Sequence, residues 1–464
     1  MEEQAKNLHI VMFPWLAIGH LKPFFELAKY LARKGHKITF ISTPINLQKT
    51  AKLPRNLSHL IDPVAIPFPP VDHLPPNAES SLDVPHAMRK LLKVAFDMLQ
   101  PKLRSYLENM RPKPDWIIYD FASHWLPRIA EELAIKRAYF SIFCAVFMAF
   151  LGPPSALLSE EHARVTAEDF TVVPEWLPAS SGMAFRHYEM ARYLEKDPNE
   201  DEYDSGMTDW TRFALTVNGS DIVIFKSCDE FETEWLETVR RLYQKPVFAV
   251  GVLPPGYEEC VDDDTEWSRI REFLDLHKEG SLVYVAFGSE VVLTYKETQD
   301  LALGLEKCGS PFFWVLNKGY EKLPEGFGDR VRDRGAVYSK WAPQFKILGH
   351  VAVGGFLTHC GWSSAAEALG LGRVLILLPF MNDQGINCRL LEAKKVGIEI
   401  PRNEVDGAFT SDAVAETVRT ALVGEEGRSV RENARKMKEL FGSESRSNSY
   451  VDTLLHHMIQ TNGF

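Results

Sequence analysis

A chain of 464 residues is too long for a single hydrophobic core, so two domains are expected. Its 45% hydrophobic and 25% charged content is ordinary for a globular protein, and a formal net charge of -11 excludes nucleic acid or an anionic membrane as the main partner. Six cysteines (Cys144, Cys228, Cys260, Cys308, Cys360 and Cys388) are scattered with no CxxC pair, which favours reduced structural thiols over a metal site.

The acidic start, MEEQAKNLHIVMF, runs straight into a strand rather than a secretory signal, so a cytoplasmic location is expected. His9 to Phe13 is a compact apolar run closed by Pro14, as in a parallel strand. After the Trp15 to Gly19 loop, His20 opens a helix with Leu21, Phe24, Phe25, Ala28 and Leu31 at helical spacing. Gly35 stops it, and Lys37 to Ile41 completes a βαβ unit. Val64 to Phe68 reads as a third strand, and Pro67 to Pro85 as irregular, because proline denies a ladder its donors. Val84 to Asn109 is one long amphipathic helix. Asp115 to Asp120 is a strand bracketed by carboxylates, followed by a helix from His124 to Leu133 and a strand from Arg137 to Phe143. The most apolar stretch, Ala138 to Leu151, falls short of the ~20 residues of a membrane span and reads as a buried strand then a buried helix.

Residues 159–215 have weak periodicity and are expected as an insertion of short helices and loops over the first domain's cleft. Asp221 to Lys226 and Lys245 to Val250 supply the last strands of that domain. Pro254-Pro255-Gly256 and the acidic Glu258 to Asp264 form a linker. A second alternation starts with a helix from Glu266 to His277 and a strand from Ser281 to Phe287. Two successive arrays predict an α/β fold of two doubly wound, Rossmann-like domains facing across a cleft: residues 1–250 and 266–444, joined by 251–265. No G-x-G-x-x-G follows the first strand, which excludes an NAD oxidoreductase.

The most informative stretch runs from Trp341 to Gln384. Val353 to Leu357 is a strand candidate, Thr358-His359-Cys360-Gly361 a tight turn, and a helix opens near Trp362. A strand that delivers its turn to a helix N-terminus suits phosphate, because free backbone N–H groups and the helix dipole both favour an anion. Ser363 and Glu367 share a helix face. A second strand, Val374 to Leu378, delivers Pro379 and then Asp383 and Gln384 to the carboxyl end of the sheet, where open α/β sheets bind ligands.

This stretch resembles, end to end, the signature box of plant UDP-sugar glycosyltransferases. The matches include Trp341, Pro343-Gln344, His350, Gly354-Gly355, Thr358 to Trp362, Ser364, Glu367, Gly372, Pro379 and Asp383-Gln384. Ser363 stands where the family usually has Asn, and Val374 where a Pro is common. Ser363 keeps a hydroxyl donor with less reach. Gly19-His20 with Pro23 is similar to the family's catalytic-histidine loop, and Asp120 with Trp125 to its catalytic-aspartate segment. The resemblance implies the GT-B arrangement of the two domains, with the last helix (445–464) returning to the first.

Sugar transfer from UDP needs a deprotonated acceptor oxygen, a stabilised leaving diphosphate and a dry site. His20 is the expected base and Asp120 its partner. In the second domain Trp341, ahead of Ala342-Pro343, offers a ring face for uracil. Gln344 and Glu367 suit ribose hydroxyls. His359, Ser364, Ser289 and the amides around Trp362 and Ser363 suit the diphosphate. Asp383 and Gln384 suit sugar hydroxyls. One base and no second carboxylate placed as a nucleophile favour a single inverting displacement. No metal or other cofactor is expected beyond the UDP-sugar co-substrate, and a monomer is expected.

In the resembling family a terminal Gln, here Gln384, goes with glucose donors, although rhamnose and xylose users also carry it. Local strings (Pro14 to Ala17, Ser42 to Pro44, Asp83 to His86, Gly288 to Val291) look like the subgroup that attaches sugar to a sugar on a terpenoid or flavonoid glycoside. Trp15, His86, Phe121, Phe143, Phe147 and Glu290 are the candidate walls and hooks of that acceptor pocket. Two competing readings are an epimerase of the same fold, which needs a second acid near His20, and a catalytically silent ligand-binding protein, which would have lost His20 or Asp120.

Overall fold

The computed structural model describes residues 7–50, 53–85, 88–161, 163–194, 206–254 and 265–462. The chain forms two compact units: Met1–Ala163 with Lys196–Leu253 and Glu444–Phe464, and Arg164–Glu195 with Pro254–Ser443. The expected linker at 255–264 lies outside the described residues.

The first unit is built on a seven-stranded sheet: β1 (His9–Phe13), β2 (Lys37–Ser42), β3 (Ile61–Ala65), β4 (Trp116–Tyr119), β5 (Lys136–Ser141), β6 (Ile222–Phe225) and β7 (Val247–Ala249). Every pairing is parallel, in the order β3-β2-β1-β4-β5-β6-β7. All five residues of β1 and all four of β4 and of β6 are buried, as expected of strands covered by helices on both faces. The last helix, Glu444–Thr461, belongs to this unit. Its Val451, Leu454, Leu455 and Met458 join the core around Ile10, Phe24 and Trp116, and Trp116 Nε1 donates to the Met458 carbonyl at 3.1 Å.

Several elements differ from their sequence-based expectation, and proline explains two of them. The third strand lies at Ile61–Ala65 rather than Val64 to Phe68, with Pro63 inside it. Proline is tolerated there because β3 is the sheet edge. The expected helix from Val84 to Asn109 is two helices, Arg89–Asp97 and Gln100–Asn109, with Pro101 in the first turn of the second. The first helix starts at Ile18, so His20 is its third residue. The insertion is also divided: Asp209–Gly219 stays with the first unit, whereas Arg164–Glu195 belongs to the second.

The second unit carries a six-stranded parallel sheet: β8 (Leu282–Ala286), β9 (Phe312–Val315), β10 (Gly335–Tyr338), β11 (Val353–Thr358), β12 (Val374–Leu377) and β13 (Gly397–Glu399). Its order is β10-β9-β8-β11-β12-β13, with the same winding as the first sheet. Each sheet therefore reverses direction once, between β1 and β4 and between β8 and β11. Loops leaving the carboxyl ends of the two central strands diverge at such a point, which leaves a crevice for ligands. Among the described residues, no helix is long and apolar enough to cross a membrane.

Candidate active site

In the first unit, the loops after β1 and β4 start side by side before they part. The register pairs Phe13 with Tyr119, which sets Pro14 beside Asp120. Asp120 is 1% exposed, and both its oxygens are engaged. Oδ1 accepts from Phe121 N at 2.7 Å, and Oδ2 accepts from Trp15 N at 3.1 Å and from His20 Nδ1 at 2.7 Å. A carboxylate only accepts, so Nδ1 carries the proton and Nε2 keeps its lone pair. The ring is flanked by Phe121 and Phe143, each 5.6 Å away between centroids. A cushioned imidazole with one nitrogen anchored and the other free is able to accept a proton.

Around it lies an aromatic group. Phe121 stacks on Phe213 at 4.8 Å, Phe143 tilts onto Phe147 at 5.4 Å, and Trp15 sets its edge on Phe96 at 5.2 Å. Trp15, Phe121 and Phe147 are largely buried, whereas Phe143 is half-buried. His86 lies outside the described residues. Sequence reasoning missed Arg212, which is fully buried. It forms a two-pronged pair with Asp97 (2.9 and 2.6 Å) and also donates to the Ala122 carbonyl, while Trp125 Nε1 donates to the same Asp97 at 3.0 Å. This network ties down the loop that carries Phe121. An arginine inside the otherwise apolar helical run of Phe213, Ala214 and Val217 was the available signal.

In the second unit, the loops after β8 and β11 start side by side in the same way, because Thr358 pairs with Ala286. Ser289 is exposed after β8. The His359 ring lies between two glycines: a Cβ on Gly361 would come within 2.5 Å of Nε2 and one on Gly288 within 3.0 Å. Gly288 also has φ +70°, a conformation glycine adopts without strain. Burial pushes the His359 pKa down to about 4, with the Glu290 carboxylate acting in the opposite direction. Its Nδ1 is buried with no hydrogen-bond partner. Cys360 adopts φ +66°, and its carbonyl accepts from Asn387 Nδ2 at 3.0 Å, which steadies the turn into the helix Trp362–Gly370.

Gln344 Nε2 donates to Glu367 Oε2 at 2.9 Å and to Ser364 Oγ at 3.2 Å. Ser364 therefore groups with Gln344 and Glu367, because it lies one helical turn before Glu367. Trp341 is 72% exposed and presents its ring, beside a buried Ala342. Trp362 is a correction: its ring is 3% exposed and packs edge-on against Phe441, so only its backbone faces the helix start. Ser363, next in the first turn, is half-buried. Asp383 and Gln384 open the helix Gln384–Ala393 after β12. Asp383 Oδ2 accepts from Asn387 at 2.7 Å, and Gln384 Oε1 accepts from Phe380 N and Met381 N at 2.9 and 3.0 Å. The Gln384 carbonyl thus braces its own loop, leaving the amide end for other partners. Glu290 belongs to this second unit and is half-buried after β8.

The sequence model of the UDP-glucoronosyl and UDP-glucosyl transferase family matches residues 166–441. The chain is also 49% identical to UDP-glycosyltransferase 91C1 of Arabidopsis thaliana, over 99% of this chain and 98% of that protein. It belongs to the plant family 1 UDP-glycosyltransferases. Anthocyanidin-3-O-glucoside rhamnosyltransferase of Petunia hybrida is 33% identical, over 99% of this chain and 98% of that protein. Among solved structures, that of Glycyrrhiza uralensis UGT73P12 with glycyrrhetinic acid 3-O-monoglucuronide shares the fold, at TM-score 0.80 and 22% identity, covering 98% of this chain and 97% of that one. The two Rossmann-like units are those of the GT-B fold, and the protein is a glycosyltransferase.

One further cluster of potential metal ligands exists among the described residues, Cys388 with Glu392 and Glu399. It does not suit a cation. Both Glu399 oxygens pair with Arg186, and burial holds the Cys388 thiol far above its usual pKa, so the thiolate a metal needs is disfavoured.

Proposed function

We propose that this glycosyltransferase moves a sugar from UDP, with inversion, onto a hydroxyl of a small lipophilic glycoside. The observation that carries the reading is the 2.7 Å contact between His20 Nδ1 and Asp120 Oδ2 at the reversal point of the first sheet. His20 Nε2 takes the proton from the acceptor hydroxyl as its oxygen bonds to C1 of the donor sugar. The bond from C1 to the β-phosphate oxygen breaks, and UDP leaves with the electron pair. Asp120 holds the tautomer and stabilises the imidazolium that forms. An α-linked donor then gives a β-linked product.

Trp341 stacks on uracil, Gln344 and Glu367 bind the ribose, and the start of the helix Trp362–Gly370 with His359, Ser289 and Ser363 receives the diphosphate. Asp383 and Gln384 meet the sugar. No metal takes part in this scheme, and the enzyme acts as a monomer in the cytoplasm. Glucose is the proposed donor, from Gln384. Rhamnose is the second reading, supported by the name of the Petunia relative, which also supports a glycoside acceptor.

Mass spectrometry of a donor panel (UDP-glucose, UDP-rhamnose, UDP-xylose, UDP-galactose) against aglycones and their monoglucosides tests both halves. Gain of a hexose on the glucosides alone supports the proposal. Gain on free aglycones moves the enzyme to first-sugar transfer, and no gain from any donor with UDP still bound leaves a silent binding protein.

A further inference from the structure

Residues Arg164–Glu195 belong to the second unit although the chain on either side belongs to the first. Buried charge holds them there. The helix His187–Leu194 turns Glu189 inward to 6% exposure, where its two carboxylate oxygens accept from Arg389 Nη2 at 3.0 and 2.9 Å. Arg389 Nη1 also donates to the Gly385 carbonyl. A Cβ on Gly385 would lie 2.5 Å from Glu189 Oε2, so only glycine lets the carboxylate approach this closely. Gly385 is the second residue of the helix that Asp383 and Gln384 open.

The same segment reaches the preceding loop. Arg192 lies over the Phe380 ring at 5.8 Å, and Arg402 lies over both Tyr188 (5.2 Å) and Phe380 (5.4 Å). Arg402 donates to the Pro379 carbonyl as well. The loop from Pro379 to Asp383 is therefore braced internally by Gln384 and clasped from outside by the inserted helix.

We propose that Glu189 is a positioning residue for the donor sugar: paired with Arg389 against Gly385, it fixes the helix start that presents Asp383 and Gln384. The inference rests on the reading that these two side chains meet the sugar. A side chain that sets this helix start acts on the sugar end of the donor more than on the uridine and diphosphate contacts, which are made from other loops and which this helix reaches through Asn387 and the Cys360 carbonyl. A pair that served stability alone would show no such distinction.

The test uses the full-length enzyme and its Glu189→Ala, Glu189→Gln and Arg389→Lys variants. Calorimetry gives the Kd for UDP, and steady-state kinetics give kcat/KM for UDP-glucose and UDP-rhamnose. In Glu189→Ala, kcat/KM for the donor is expected to fall about 10- to 100-fold while the Kd for UDP stays within about twofold. Glu189→Gln, which keeps an acceptor oxygen against Arg389, recovers part of the loss. If removing the buried charge prevents Glu189→Ala from folding, Glu189→Gln and Arg389→Lys carry the same comparison. Parallel weakening of UDP and donor, or unchanged donor kinetics, overturns the proposal. Asp383→Ala separates the two layers. If it leaves the preference for donor over UDP unchanged, the sugar-site reading falls and the inference with it. If it alters that preference and the Glu189 variants do not, the inference alone falls.

Discussion

At His20 the chemistry depends on which ring nitrogen is free, and Asp120 decides it. Replacing the carboxylate by an amide offers Nδ1 a donor as readily as an acceptor, so the ring can turn its lone pair toward residue 120 and leave the proton on Nε2. Asp120→Asn is expected to lower kcat by about 10³- to 10⁴-fold with little change in the Kd for UDP. His20→Ala should abolish transfer and likewise leave UDP affinity near wild type; full retention of rate would remove His20 as the base. In the second unit, Gly361→Ala drives a methyl into the His359 ring, 2.5 Å from Nε2. Loss of about 1.4 kcal/mol, tenfold in the Kd for UDP, is the expected outcome by calorimetry. Ser363→Asn, with its longer reach, should tighten UDP binding, and unchanged or weaker affinity would argue that Ser363 does not face phosphate. His20 and Asp120 were legible because Asp120 directly follows a buried strand, His20 lies in the first turn of the helix after another, and each carries a motif. The Trp362 side chain was not, since a core ring and a donor-contacting ring look alike in sequence and its packing on Phe441 marks it as core.

Among elements, the strands were the most readable part of the chain, because a strand buried on both faces is a continuous apolar run. Prolines account for the two clearest departures, at Pro63 within an edge strand and at Pro101 in the first turn of the second of two helices. The segment 164–195 was unreadable for a different reason. Its place in the fold depends on charge pairs such as Glu189 with Arg389 and Arg186 with Glu399, whose partners lie some 200 residues apart in sequence. The last helix shows how one element serves a distant core. Met458 is fully buried among first-unit side chains, so Met458→Ala should cost about 2–5 kcal/mol in denaturant unfolding while leaving the Kd for UDP unchanged. A cost below 1 kcal/mol would mean that the helix end collapses readily onto the space left behind.

Over the whole molecule, one winding appears twice, and each sheet places its candidate chemistry at its own reversal point: His20 and Asp120 after β1 and β4, Ser289 and His359 after β8 and β11. The alternation was visible in the sequence, but the strand order was not, since neighbours in a parallel sheet are chosen by packing rather than by local pattern. Both units also hold buried or half-buried histidines whose charging is disfavoured, which ties the stability of the fold to pH. Burial lowers the pKa of His9, His36, His124 and His359, the last to about 4 from its usual 6.5. His36 shows the cost directly: its Nδ1 accepts from Leu8 N at 3.0 Å, a bond that protonation of that nitrogen removes. Because the unfolded chain binds these protons more readily than the folded one, their contribution is complete above pH 6.5 and declines as pH falls below it, for His359 down to about 4. In that window His359 adds up to about 1.4 kcal/mol of destabilisation per pH unit, and the other three act in the same direction. Denaturant unfolding between neutral and mildly acidic pH should therefore show a steep loss of stability. His359→Gln should flatten the slope by about one proton, since Gln keeps a polar side chain between the two glycines but does not titrate. Parallel slopes for the two proteins would mean that His359 is solvated well enough to charge in the folded state, and that the proposed diphosphate site opens on to water more freely than its packing implies.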